Sequence, residues 1–172
     1  MTPAPLVVTL ALPDDVQARF DAERARWFPA GRTAVGAHLT LFHAVPGELQ
    51  EQVVDDLREQ AGQAFTVRIA GVMPLGRGAA YAVESDELTR CHRALQARWW
   101  PHLTRQDRQP LRAHITVQNK VEPAEARRTL EALAAGFTPA VVDALGFDLW
   151  RYDGGPWTHL GRASTPSPPL RS

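Results

Sequence analysis

The chain has 172 residues, 19 basic and 19 acidic side chains that cancel, 44% apolar content and a single cysteine. That length fits one domain, or two small lobes sharing a core, and it can bury a stable interior without covalent staples. Neutrality argues against coating long nucleic acid by bulk electrostatics but leaves room for a local basic pocket holding one phosphate or one RNA end. One cysteine excludes an intramolecular disulfide and a cysteine-based zinc knuckle.

Leu6 to Leu12 reads as a buried strand, too short for a signal-peptide core and closed by Pro13-Asp14-Asp15. With no stretch of transmembrane length, a cytoplasmic location is expected. Pro13 opens a helix whose first turn carries Asp14 and Asp15, where carboxylates suit the helix dipole; Val16, Phe20 and Trp27 mark its apolar face and Pro29 stops it. The loop Gly31-Arg32-Thr33 leads into a strand over roughly Ala37 to His43. Gly47 to Gly62 is predicted as a second helix with Leu49, Val53 and Leu57 stacked at i+4, followed by a strand from Phe65 to Met73.

The order then repeats. Leu75-Gly76-Arg77-Gly78 is a hairpin link into a strand over Ala79 to Val83. Ser85 caps a helix carrying Leu88, Cys91, Leu95 and Trp99 on one face, with Pro101 near its end. Cys91 on that apolar stripe reads as a buried, inert thiol. Arg112 to Gln118 is a strand, and Pro123 opens a helix with Ala126, Leu130 and Leu133 inward. Two closing strands, around Val141 to Tyr152 and Trp157 to Arg162, flank the turn Asp153-Gly154-Gly155-Pro156. The order predicts an α+β fold: a bilobal, pseudo-two-fold pair of antiparallel sheets with helices outside and a central cleft. The expected domain spans 1–163, with lobes of about 5–75 and 76–163, and the Pro/Ser-rich tail 164–172 is expected to be disordered.

His38-Leu39-Thr40-Leu41 returns in the same chemical form as His114-Ile115-Thr116-Val117, at equivalent places in the two halves. Residues i and i+2 of a strand share a face, so each copy presents one imidazole and one hydroxyl together. On opposed strands, two imidazoles supply one base and one acid near neutral pH, and threonine hydroxyls can bind the oxygens of a phosphorus centre. No nucleophilic serine or cysteine is implied, and no carboxylate cluster is available to hold a metal.

Strand alternation extends the second copy into a cationic face of Arg112, His114, Thr116, Gln118 and Lys120, and the first into Gly36, His38, Thr40 and Phe42. Arg112, Gln118 and Lys120 are therefore candidate substrate contacts, and Phe42 is a candidate platform for a base or sugar. His43 is out of phase and is expected on the opposite side of its strand. His92 and His102 read as structural or surface residues, and His159 as an ordinary sheet position. Trp150-Arg151-Tyr152 and Tyr81 are either rim or core.

These residues resemble the two-histidine phosphoesterase superfamily, the 2′-5′ RNA ligase-like proteins. Its signature is a duplicated His-x-Thr-x on strands, and Ala37-His38-Leu39-Thr40-Leu41-Phe42-His43 is similar to its bacterial branch in particular. The resemblance runs from about Leu6 to Arg162. It implies a metal-independent enzyme that opens 2′,3′-cyclic phosphates of RNA ends or small nucleotides to a 2′-phosphate, in some members joining RNA 2′-5′ in reverse. It implies an acid/base pair at His38 and His114 and phosphate binding by Thr40 and Thr116, with the acid and the base not distinguished. Ala37 and Ala113 stand where family members often carry proline, which leaves the substrate subfamily open. No cofactor, metal, membrane or obligatory protein partner is expected, and a monomer suits the self-contained duplication. Two alternatives stand beside the enzyme: a nucleotide or RNA-end binding module that has kept the cleft without turnover, and a histidine metal site, for which ligand spacing is poor.

Overall fold

The structure, a computed structural model, describes residues 2–31 and 35–167. In chain order the elements are β1 (Leu6–Ala11), α1 (Asp14–Trp27), β2 (Thr40–Val45), α2 (Gln50–Gln60), β3 (Phe65–Leu75), β4 (Gly78–Glu84), α3 (Asp86–Trp99), β5 (His114–Gln118), α4 (Pro123–Ala135), β6 (Ala140–Ala144), β7 (Gly146–Tyr152) and β8 (Trp157–Ser164). Single 3-10 turns precede α2 and follow α3. Local chemistry sets several of these boundaries. The Ser85 hydroxyl accepts the Leu88 N–H at 3.2 Å, capping α3, and Pro123 occupies the first turn of α4, where a missing N–H costs nothing. Gly76, at φ +51°, makes the tight β3–β4 turn.

Among the described residues the strands form two antiparallel sheets, ordered β2-β1-β7-β8 and β5-β4-β3-β6. Each motif strand is an edge strand beside the strand that opens its half. The expected lobes of 5–75 and 76–163 are not the sheets of the structure. β3, from the first half, completes the sheet of β4 and β5, while β7 and β8, from the second half, complete the sheet of β1 and β2. The predicted strand over 141–152 is accordingly two strands in different sheets. The chain changes sheet at Gly146, whose φ is +132° and where a Cβ would stand 2.0 Å from the Ala163 carbonyl oxygen. Only glycine fits that crossing.

The C-terminal boundary also moves. Ser164 pairs with Gly146 at the end of β8, and Thr165 donates its N–H to Leu145 O and its hydroxyl to Ala144 O, both at 2.9 Å. The tail expected from 164 is thus bonded to the sheet at its start; positions 168–172, and Arg32 and Thr33 of the predicted loop, lie outside the described residues. Residues of both sheets and all four helices share one continuous apolar core, with Phe20, Phe42, Trp99, Ile115 and Phe147 fully buried in it. α1 packs on the second motif strand, β5, and α3 packs on the first: Phe42 of β2 stacks on His92 and meets Trp99 edge-on, at centroid distances of 4.7 and 4.9 Å.

Both motif strands break alternation at the same place. On β2, Thr9 faces Thr40 and Val8 faces Phe42, skipping Leu41; on β5, Ala80 faces Thr116 and Ala79 faces Gln118, skipping Val117. A β-bulge thus follows each motif threonine. Two successive residues, Leu41-Phe42 and Val117-Gln118, turn inward and are buried, and the phase is reversed at His43, until a second irregularity between Phe42 and Val45 turns Val45 inward again.

Candidate active site

β2 begins at Thr40, so His38 stands just ahead of the strand, although Leu39 O still accepts the Leu10 N–H at 3.0 Å. The two motif imidazoles are held alike. His38 Nδ1 lies 2.7 Å from Gly36 O and His114 Nδ1 lies 2.6 Å from Arg112 O, each bonding the carbonyl two residues upstream. A carbonyl only accepts, so Nδ1 carries the proton in both rings and Nε2 is left for chemistry. The same side-chain-to-backbone bond in both halves is the site's clearest sign of duplication.

α1 fixes the approach to His38. Asp21 Oδ1 accepts the Ala37 N–H at 2.7 Å, Gln17 Nε2 donates to Ala37 O at 2.7 Å, and Gln17 Nε2 also donates to Asp21 Oδ1 at 3.0 Å. Both backbone groups of the residue before the histidine are thereby held from one helix face. Gly36 packs closely here: a Cβ would stand 2.8 Å from Asp21 Oδ1, so a larger residue would displace that carboxylate. Farther along the same face Arg24 is buried, donates to Thr116 O at 2.9 Å and lies over the Phe28 ring at 4.3 Å. α1 of the first half therefore reaches both motifs. Burial pulls the Arg24 pKa down, with Asp21 opposing.

His38 is pushed down to about 4 from the ordinary 6.5, chiefly by burial; the Gly36 carbonyl opposes this, while the charges of Arg24, His43 and His114 add to it. The ring is neutral at pH 7. Trp157 packs on it at a centroid distance of 4.7 Å. His38, Trp150 and Trp157 line one cavity of about 420 Å³, with Gln17 and Asp21 at its wall and Asp148 and Arg162 paired on the other side. A second cavity, of about 180 Å³, spans the two motif strands and is lined by Thr40, His43, Arg112 and His114.

The structure thus brings Thr40, Arg112 and His114 together in one cavity and sets His38 in another, while the Thr116 carbonyl is engaged by Arg24. The other expected contacts differ. Phe42 is buried in the core and Gln118 is buried with its Nε2 donating to Thr129 Oγ1 at 2.8 Å, both turned inward by the bulges. Lys120 lies beyond the end of β5 with φ +62°, which ends the alternation that placed it on the cationic face. His43, expected on the far side of its strand, lines the cavity with Thr40 because the bulge at Leu41 reverses its phase. Tyr81 is core, against Phe20 at 5.2 Å; His92 is buried and His102 exposed; His159 Nε2 lies 2.9 Å from Asp148 Oδ1. Arg151 pairs with Asp153 at the exposed turn, and burial pushes the Cys91 thiol up.

Four residues near the motifs were not among the expected contacts: Gln17, Asp21, Arg24 and Trp157. The first three had a signal, since 17, 21 and 24 follow helical spacing and Arg24 lies four residues after the inward-facing Phe20.

The model of the 2′-5′ RNA ligase superfamily matches residues 12–156. The chain belongs to that superfamily. No curated protein matches it by sequence. Solved structures similar to this superfamily member include TT0787 of Thermus thermophilus, at 19% identity over 93% of this chain and 97% of that one, with a TM-score of 0.63. A structure described as a phosphoesterase shares 20% identity over 96% and 99% of the two chains, with a TM-score of 0.63. E. coli LigT complexed with ATP shares 19% over 97% and 100%, with a TM-score of 0.61. The fold of these proteins is the α+β fold described above. No helix among the described residues of this 2′-5′ RNA ligase superfamily member is long and apolar enough to cross a membrane.

Proposed function

We propose that this member of the 2′-5′ RNA ligase superfamily is a metal-independent phosphodiesterase that opens 2′,3′-cyclic phosphates, at RNA ends or on small nucleotides, to a 2′-phosphate. The observation that carries this reading is the matched pair of Nδ1–carbonyl bonds, which points one Nε2 from each half to proton transfer. His38, held neutral, suits the base: its Nε2 takes a proton from water as the water oxygen bonds to phosphorus. His114 is then the acid, giving its Nε2 proton to O3′ as the P–O3′ bond breaks. The products are a 2′-phosphate and a free 3′-hydroxyl, and exchange with solvent resets both rings. Run in the same direction with a ribose 5′-hydroxyl in place of water, the same transfers would join ends 2′-5′, the 5′ oxygen bonding to phosphorus as the P–O3′ bond breaks; run backward, they would cut that linkage.

Thr40 and Thr116 are assigned to the non-bridging oxygens, where preorganised hydroxyls stabilise developing charge. Trp150 and Trp157 offer rings for a base to stack on, worth about 1–3 kcal/mol per base. The phosphates of the ligands in LigT complexes with ATP, 3′-AMP, NADP+ and phosphate agree with a phosphate-binding cleft. Each transfer uses an imidazole and water, so no step calls on a metal.

The test is the product of 2′,3′-cyclic AMP turnover in EDTA, followed by phosphorus NMR. The proposal expects 2′-AMP at an unchanged rate. Formation of 3′-AMP, binding without product, or turnover abolished by the chelator would each overturn it.

A further inference from the structure

A third imidazole stands beside the motif pair, and it is built rather than incidental. His43 Nδ1 donates to Asp107 Oδ1 at 3.0 Å; the backbone N–H of His43 reaches both carboxylate oxygens at 2.8 and 3.0 Å, and that of Ala44 reaches Oδ2 at 2.9 Å. Asp107 is buried, with 1% of its side chain exposed against 46% for His43. Its own backbone is tied down as well: its N–H donates to Thr104 Oγ1 at 3.2 Å and its carbonyl accepts from Gln96 Nε2 at 3.0 Å. A rigidly held carboxylate therefore orients an open imidazole, leaving its Nε2 in the cavity that Thr40, Arg112 and His114 also line.

That cavity is rich in donors. Its one carboxylate, Asp107, already accepts four hydrogen bonds from residues 43 and 44. Arg112 is exposed at its edge, and His43 and His114 line the same space, so the groups offered to a ligand there are two imidazoles, a hydroxyl and a guanidinium. Such a lining suits an anion. When His43 is protonated, its Nε2–H can bond a phosphate oxygen with Asp107 behind the ring as counter-charge, and Arg112 can clasp a second oxygen.

We propose that His43, held by Asp107, and Arg112 form a second anion subsite, which takes the phosphate on the 5′ side of the nucleotide whose 2′,3′-cyclic phosphate reacts. The inference rests on the proposed function for which phosphate reacts, and it deepens that reading: the preferred substrate carries at least two phosphates, as an RNA end does and a cyclic mononucleotide does not.

Calorimetric binding of adenosine 2′,5′-bisphosphate against 2′-AMP tests this without turnover. The ratio of the two affinities is the readout. In the unaltered protein the bisphosphate is expected to bind about tenfold more tightly, the scale of one charge-assisted contact. The advantage should fall below about threefold in both His43→Ala and Arg112→Ala; Arg112 is exposed, so its loss does not threaten folding. Equal affinities in the unaltered protein, or an advantage that survives both substitutions, would overturn the subsite. Hydrolysis of 2′,3′-cyclic AMP is scored on the same preparations. The expected ratios without hydrolysis would remove the proposed chemistry and leave the subsite standing.

Discussion

His38 and His114 share a tautomer, but burial among cations keeps His38 neutral down to about pH 4. The sign for stability follows from linkage. Above about pH 6.5 the ring is neutral in folded and unfolded chains alike; between about 6.5 and 4 the unfolded chain takes up a proton that the folded one refuses, so this residue makes stability fall with pH across that window and adds no slope below it. Urea midpoints from pH 7 to 4 should drop less steeply in His38→Asn than in the unaltered protein, and an equal slope would contradict the burial account. For activity, the acid limb of kcat/KM should lie near 4 rather than 6.5; a limb at the ordinary histidine value would remove His38 as the base. Asp21 and Gln17 act one step back, through Ala37. Asp21→Ala frees the Ala37 N–H and is expected to lower kcat about tenfold, on the scale of about 1–3 kcal/mol for an orphaned polar group. Asp21→Asn keeps an acceptor and should restore most of the loss with little change in KM, a rescue that a general folding defect would not show.

The order of elements was legible in the sequence because its signals are local: proline and serine at helix starts, glycines at the hairpin, apolar spacing along each helix. The repeat of His-x-Thr-x was legible for the same reason; of its residues, Thr40 and His114 line one cavity and His38 another. What alternation could not carry was the bulge after each threonine, a tertiary fit of edge strand to neighbour with no residue that announces it. That single cause turned Phe42 and Gln118 inward and brought His43 out. Phe42→Ala should therefore act on stability, lowering it by about 3–5 kcal/mol in denaturant titration, with KM unchanged in the folded fraction. A raised KM with little destabilisation would instead place Phe42 at the substrate. The predicted strand over 141–152 failed similarly. Its apolar residues run on past Gly146 with only Asp143 and Asp148 among them as far as Trp150, and the change of sheet comes at Gly146, close against Ala163, through a contact distant in sequence.

At the scale of the molecule the duplication is interlocked. Each half lends closing strands to the other's sheet, and α1 of the first half bonds Thr116 of the second through Arg24. The β2-β1-β7-β8 sheet joins strands from the two ends of the chain, so a fragment of residues 5–75 would lack two of its four strands and should remain unfolded by circular dichroism. The whole chain should unfold in one transition; two separated transitions, or a folded fragment, would contradict the shared core. Interlocking also holds two motifs 76 positions apart in one core, as the proposed acid/base catalysis across one phosphorus requires. The most direct test of that arrangement is hydrolysis of a 2′,3′-cyclic nucleotide, in EDTA, by His38→Ala and His114→Ala beside the unaltered protein. The account predicts that each single substitution lowers kcat by about 10²–10⁴-fold while both variants stay folded. Turnover that survives either substitution would contradict it.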